Sequence, residues 1–375
     1  MTKIQICTKK THENGYIANV PVVFPVAGMF DMSHTLLMKA ITAERLVGKL
    51  DGITQTLPAI DFFLKMFAFK DAASSSQIEG TRATMSDALK LSADLGSHQP
   101  DASDIIHYIK ALNYGIERLA EFPLSLRFIR ETHGVLMDGA RATHFSDPGN
   151  FRTAQNWIGG TRPGNASFVP VPPEDMQKSL DDLESFLHNQ DTLPIVSIGY
   201  AHAQFETIHP FLDGNGRVGR LLITFMLSEK KVLDKPVLFL SAYFKKHQKT
   251  YYQKLSDYHN GDVFSWLEFY LGGVIETAQE AIQIAERIQL IRDHDMQKIQ
   301  ILSKRESEST LNALNYLLEN PIVSVKNIME ATGFTRPGAE KVVDRLIDMG
   351  ILEAEKKDVN YDVKYHYQKY LTAFL

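Results

Sequence analysis

From Ser33 onward, apolar residues recur at three- and four-residue spacing through most of this 375-residue chain, as in DFFLKMFAFKDAA (61–73) and in the segment that begins at Pro173 and Glu174. That period is one face of an α-helix, and Pro173 is well suited to a first helical turn. The chain is therefore expected to be mainly α. One segment breaks the pattern: in FRTAQNWIGGTRPGNASFVPVPP (151–173), short apolar arms at Asn156–Gly159 and Ser167–Val171 flank a Gly/Pro/Asn turn, which reads as a β-hairpin. A long amphipathic helix is expected from about Asp262 to Ser303, with a break near Arg292.

With 44% hydrophobic residues the chain has material for two or three cores. Its formal charge of −5 gives no broad basic face, so any anion site must be local. The single cysteine, Cys7, forbids internal disulfides, and the opening MTKIQICTKKTHENGY lacks the basic-then-apolar layout of a signal peptide. No uncharged apolar run reaches the length of a spanning helix. A soluble protein of the cytoplasm, with no membrane partner, is the expectation.

The last part of the chain changes character. STLNALNYLLEN, SVKNIMEATGF and TRPGAEKVVDRLIDMG read as three helices, the second capped by Ser324 and stopped by Gly333. ILEAEKKDVNYDVKYHY then alternates about a polar turn. Helix, helix, turn, helix and wing together are similar to a winged helix-turn-helix. Its third helix offers Thr335, Arg336, Lys341 and Arg345 to a duplex, but residues 301–375 hold ten Lys/Arg against eleven Asp/Glu. Duplex binding draws much of its affinity from net positive charge, so DNA, another protein, and a dimer partner all remain open for this unit.

The most chemically loaded stretch is ETIHPFLDGNGRVGRLL (206–222). Clustered glycines let the main chain approach a ligand, and N–H groups at a helix start converge on negative charge. Gly214, Asn215 and Gly216 would form a phosphate cup. Arg217 and Arg220 would add two guanidinium forks on one side of the helix. Asp213 at the rim faces a polyphosphate tolerably only across a divalent cation, and Mg²⁺ fits one carboxylate plus phosphate oxygens. His209, on a loop stiffened by Pro210, is placed to take a proton from an attacking hydroxyl. A Walker A loop is excluded as the cradle, because Arg217 stands where it needs lysine and IGYAHAQFETI before the loop reads helical rather than extended.

HPFLDGNGRVGR, His209 to Arg220, resembles in full the HPFx(D/E)GNGRxxR signature of the Fic family, helical enzymes that typically transfer AMP from ATP to a protein hydroxyl. The resemblance implies His209 as general base and Asp213 as the Mg²⁺ ligand. It implies a phosphate cradle from Gly214, Asn215 and Gly216, a clamp from Arg217 and Arg220, and an ATP site that takes in Val218 and Gly219. It further implies that the hairpin over 151–171 is a flap on which a target protein docks by edge addition, with Ile158 and Gly159 as its site positions. YYQKLSDYHNGD is similar to the adenine segment, with Tyr251 and Tyr252 as candidates; His259 stands where relatives often have asparagine.

Upstream, SSSQIEGTR is similar to the inhibitory motif (S/T)xxxE(G/N), filled by Ser75, Glu79 and Gly80. A guanidinium poised for phosphate is also the best partner for a carboxylate, so Glu79 is expected to compete with ATP for Arg220, with Gly80 as the helix stop. The resulting layout is an N-terminal helical region 1–120 with an inhibitory helix at about 68–80, a catalytic core 121–273, a helical linker 274–306 and the winged unit 307–375. The expected activity is a restrained protein adenylyltransferase acting on a Ser, Thr or Tyr hydroxyl, its own included. A DNA-binding regulator that senses nucleotide, a Fic enzyme using another nucleotide, and one that removes AMP are the alternatives. The scattered His107, His133, His144 and His202 lack the spaced partners of a zinc site.

Overall fold

A computed structural model describes residues 3–92, 101–139, 147–189, 192–355 and 363–374. The chain forms two compact units, one of residues 1–48 with 67–278 and one of residues 49–66 with 279–375.

The first unit opens with an antiparallel hairpin, β1 (Cys7–Thr11) and β2 (Ile17–Pro21), in register from Cys7 opposite Pro21 to Thr11 opposite Ile17. The helical pattern gave no warning of it, although Asn14-Gly15 between the arms is a strong hairpin-turn signal. Helices α1 (His34–Thr54) and α2 (Ile60–Ile78) follow, each with residues in both units, and then α3 (Met85–Ser92), α4 (Ala102–Leu119) and α5 (Leu126–Met137). The end of α4 is tied to α5 through Glu131, which accepts from Arg118, Arg127 and Tyr114 and is held down at about 2 by them.

The centre of the unit is α7 (Pro194–Ile208), which follows α6 (Pro173–Leu187). Every α7 residue from Ile195 to Ile208 is buried, as a helix apolar on most faces must be. It packs against α6, α8 (Asn215–Glu229) and α10 (Gln248–His259), which follows the short α9 (Ser241–Lys246). The next helix, α11 (Val263–Gln300), is a single run of 38 residues with no break at Arg292. The expected interruption fails because neither glycine nor proline occurs between Val274 and Gln300, and a charged cluster alone leaves the hydrogen-bond ladder intact.

The hairpin expected at 156–171 is reduced to one antiparallel bridge, Ile158 to Phe168. Between them the chain makes a short 3₁₀ turn at Pro163–Asn165, and Asn165 Oδ1 takes the N–H groups of Thr161 and Arg162. Beyond the bridge, Val169 O accepts from both Asn19 N and Asn19 Nδ2, so β2 occupies the next pairing position on this arm.

In the second unit, residues 49–66 join the C-terminal part: Phe62 and Phe63 pack on Phe374, and Phe62 also on Tyr370. Helices α12 (Lys304–Glu319), α13 (Val325–Thr332) and α14 (Arg336–Asp348) form its body. As expected, Ser324 caps α13, accepting from Asn327 N, and Gly333 ends it in the left-handed region. Strands β3 (Ile322–Val323), β4 (Glu353–Ala354) and β5 (Tyr365–His366) pair in the order β3-β5-β4, and α15 (Gln368–Thr372) closes the unit. Much of the turn expected between the two wing arms, and His144 as well, lie outside the described residues. No helix among those described is long and apolar enough to cross a membrane.

Candidate active site

The stretch from His209 to Arg220 forms the loop between α7 and α8 and the first turns of α8. His209 ends α7 in the left-handed region, φ 50° and ψ 60°, a strained place for a residue with a Cβ. Its carbonyl is gripped from the flap side, by Arg152 Nε at 2.9 Å and Asn156 Nδ2 at 3.2 Å. Arg152 is buried, and the other hydrogen bonds of its side chain go to the carbonyls of Val171 and Ile208. Burial pulls its pKa down to about 10, so it stays charged at neutral pH. Asn156 also donates to Phe211 O at 2.8 Å. The sequence reading assigned neither residue a role, and no local pattern marks an arginine 57 positions ahead of the carbonyl that it supports.

After Pro210 the loop is closed by Asn215, whose side chain donates to Phe211 O and accepts from Phe211 N, both at 2.8 Å. That side chain is therefore engaged with the loop, leaving the main chain of the motif to face a ligand. His133 supports the loop from α5, with its ring stacked on Phe211 at 3.7 Å between centroids. Its Nδ1 accepts from Gly149 N, which leaves Nε2–H to donate to Asp213 O. Burial pushes this imidazole down to about 4, in keeping with a neutral ring.

Gly214 caps α8 with φ 80°, a conformation that suits glycine, and no side chain caps the helix. The first N–H groups of a helix have no intrahelical acceptor, so those of Asn215, Gly216 and Arg217 open an anion-binding mouth. Arg217 lies beside it with Nη2 3.4 Å from Met137 Sδ and 3.9 Å from Asp213 Oδ1, and its buried Nε has no hydrogen-bond partner among the described residues. Asp213 is at the rim, 38% exposed, with Oδ1 accepting from Gly214 N. Val218 is buried, and Gly219 O accepts from His202 Nδ1, so both face the interior.

Arg220 is engaged. Its side chain is 2% exposed; Nε donates to Ser75 Oγ at 2.8 Å, and Nη2 donates to Ser75 O at 3.1 Å and to Glu79 Oε1 at 2.8 Å. Burial works against its charge, but Glu79 and the neighbouring tyrosine hydroxyls raise the pKa well above the ordinary value. Asp71, Ser75 and Glu79 lie four residues apart along α2 and just past its end. Asp71 anchors the stripe by accepting from Tyr108 OH and Ser241 N. Glu79 Oε1 also lies within clashing distance of where a Cβ on residue 216 would be, so the carboxylate lies over the glycine of the mouth. Gly80 follows with φ 93°.

The carbonyl of Ile78 accepts from Gln248 Nε2 at 3.0 Å and from Tyr252 OH at 3.4 Å, which ties the end of α2 to α10. Tyr252 is 46% exposed. Tyr251 is 1% exposed, stacked on Phe244, and its hydroxyl meets His202 Nε2 at 2.9 Å. The two tyrosines thus differ: one has surface to offer a base, the other is core. His259 stacks on Phe168 of the flap at 3.9 Å. Ile158 and Gly159 lie at the flap bridge. Glu206, one turn before His209, is a further residue without an assigned role in the sequence reading; a lone acid in a largely apolar helix was the available signal.

Known proteins agree with this picture. The model of the Fic/DOC family N-terminal region matches residues 37–117, and that of the Fic/DOC family matches residues 123–227. Protein adenylyltransferase fic-1 of Caenorhabditis elegans is 30% identical over 122 residues, 32% of this chain and 22% of its own length. A probable protein adenylyltransferase of Aquifex aeolicus is 36% identical over 91 residues, 24% of this chain and 27% of its own. The chain thus spans about a quarter of the length of these relatives. The crystal structure of a Fic family protein from Desulfovibrio desulfuricans superposes with a TM-score of 0.58 at 18% identity, covering 89% of this chain and 96% of that one, which is likeness of fold. With both of the family's regions matched in sequence order, this chain belongs to the Fic/DOC family.

Proposed function

We propose that this protein transfers AMP from ATP to a hydroxyl of a protein and that it holds itself in check through Glu79. The observation that carries the reading is the place of the Glu79 carboxylate: an anion already lies over Gly216 at the mouth of α8 and is bound by Arg220. A phosphate seeks the same donors, so the acid stands in for the group that it excludes.

With Glu79 withdrawn, Arg220 and Arg217, whose Nε has no partner among the described residues, would hold the outer phosphates, and the N–H groups of Asn215, Gly216 and Arg217 the inner ones. Asp213 is the carboxylate in reach for Mg²⁺, and its exposure at the rim fits an ion held chiefly by phosphate oxygens and water. Such an ion supplies neutralisation of the triphosphate charge. His209 would take the proton of the incoming hydroxyl. The oxygen then bonds to the α-phosphorus, the bond from that phosphorus to the α–β bridging oxygen breaks, and pyrophosphate leaves. A target segment would pair with the 156–159 arm of the flap, because Asn19 already pairs with Val169 on the other arm. Tyr252 would lie near the base, at the position where its hydroxyl now meets Ile78 O.

The test is covalent. Purified Glu79→Gly protein is incubated with a panel of nucleoside triphosphates and Mg²⁺, alone and with lysate proteins, and examined by intact mass. Addition of one AMP from ATP, at a rate well above that of the unsubstituted chain, is expected. No nucleotide adduct on any protein would overturn the reading.

A further inference from the structure

His209 has a buried acid at its back. Glu206 lies one helical turn earlier on α7, is buried, and places Oε2 3.7 Å from His209 Nδ1. Neither His209 Nδ1 nor Glu206 Oε1, both buried, has a hydrogen-bond partner among the described residues. Helix α8 passes so close that a Cβ at position 219 would stand 2.5 Å from Glu206 Oε1, and glycine occupies that position. The fold thus makes room for a carboxylate in its interior, and among the described residues its Oε1 meets no donor.

Such a group is costly unless it faces a cation. Burial raises the pKa of Glu206, but His209, His202 and Arg220 outweigh it and hold the carboxyl below its usual range. The other titratable groups around the pair come from α7, α8 and α10. His202 is held neutral by burial, with Nδ1–H donated to Gly219 O and Nε2 accepting from Tyr251 OH. His259 is pushed down to about 3 by burial, Tyr251 and Tyr252 are raised by it, and Arg220 is engaged by Ser75 and Glu79. The ring whose proton this carboxylate can share is His209.

We infer that Glu206 is a positioning residue for His209: it takes the Nδ1–H, fixing the tautomer that presents Nε2 to the incoming hydroxyl, and stabilises the imidazolium once that hydroxyl has given up its proton. The inference rests on the reading of His209 as the base of AMP transfer. The separation of 3.7 Å closes by a small turn of either side chain, as catalytic hydrogen bonds often tighten only when substrate is bound. In the step itself the hydroxyl proton passes to Nε2 as the oxygen–phosphorus bond forms and pyrophosphate departs. Glu206 then faces a cation until the proton is lost to water.

The experiment compares Glu206→Gln and Glu206→Asp, each in the Glu79→Gly background, by two readouts. In the first, the ring signals of His209 are titrated by NMR in histidine-labelled protein, which needs no activity. The Gln form is expected to titrate about one unit lower than its parent, with Asp between them. In the second, the acid limb of the transfer pH profile should move down by the same amount while the plateau falls and ATP affinity stays unchanged. If the Gln form does not fold, the Asp form carries both readouts. An unmoved His209 titration, or a profile lowered equally at every pH, overturns the inference. A shifted titration in a protein that transfers nothing would leave the pairing intact and sink the transferase reading instead.

Discussion

Glu79 Oε1 accepts a 2.8 Å hydrogen bond from Arg220 Nη2, and the same oxygen lies against Gly216, the second residue of α8. One acid therefore engages a guanidinium and covers the glycine of the cup. Because Glu79 is 41% exposed while Arg220 is almost fully enclosed, the acid is the side able to leave.

Ser75 holds the same guanidinium through Oγ, whereas its carbonyl contact survives any side-chain change. Ser75→Ala should raise basal AMP transfer only a few-fold, in line with about 1 kcal/mol for one hydrogen bond. Glu79→Gly should raise it at least about tenfold, since a charge-assisted contact is the stronger. Labelled-nucleotide incorporation under identical conditions ranks the two.

Gly216→Ala drives a methyl group against the Glu79 carboxylate. Displacing the acid would favour nucleotide, but the methyl also narrows the cup. Combined with Glu79→Gly, the substitution should weaken ATP binding compared with Glu79→Gly alone, as measured by calorimetry.

His209→Ala in the Glu79→Gly background should lower transfer by about 10²–10⁴, the usual range for losing a general base. ATP affinity should stay within about twofold, because the imidazole is not among the groups assigned to phosphate. Single-turnover kinetics with a parallel binding titration separates these effects.

Arg152→Ala takes this donor from the carbonyls of Val171 and Ile208 and leaves that of His209 to Asn156 alone, a loss on the order of 2 kcal/mol for unsatisfied buried groups. It should also lower kcat more than it changes KM for ATP, because it frees the backbone of the base and touches no phosphate position. Arg152→Lys should recover only part of either, since one ammonium cannot reproduce a planar fork. Urea melts and steady-state kinetics on the three forms check both halves.

His133 and His259 are pushed down by burial, to about 4 and about 3, from the ordinary 6.5. Below about pH 6.5 the unfolded chain takes up protons that the folded chain refuses, so the stability due to neutral burial is complete above that pH and is lost as pH falls toward those values. Each ring contributes up to about 1.4 kcal/mol per pH unit in that window. Urea midpoints of the unsubstituted protein should fall steadily from pH 7 to pH 4.5, and His259→Phe should flatten part of the slope.

Local chemistry was legible in the sequence where it is carried by neighbours in the chain. The cap at Ser324, the stop at Gly333 and the helical run before His209 depend on contacts a few residues apart. Partners far apart in sequence were hidden. Nothing near Arg152 announces carbonyls more than fifty positions away, and nothing near Phe62 announces Phe374. The pairing of Glu79 with Arg220, 141 residues apart, was anticipated because a motif and an electrostatic argument pointed to the same arginine. The β1–β2 hairpin was overlooked although its Asn-Gly turn was in plain view. The break expected near Arg292 is absent because neither glycine nor proline interrupts α11 between Val274 and Gln300.

Arg152 fastens the strained histidine bend using carbonyl oxygens alone, and carbonyls neither gain nor lose protons in water. This grip on the His209 carbonyl is thereby insulated from acidity. For the transfer proposed above, an alteration in rate with pH is then expected to report on proton traffic and not on a sagging loop.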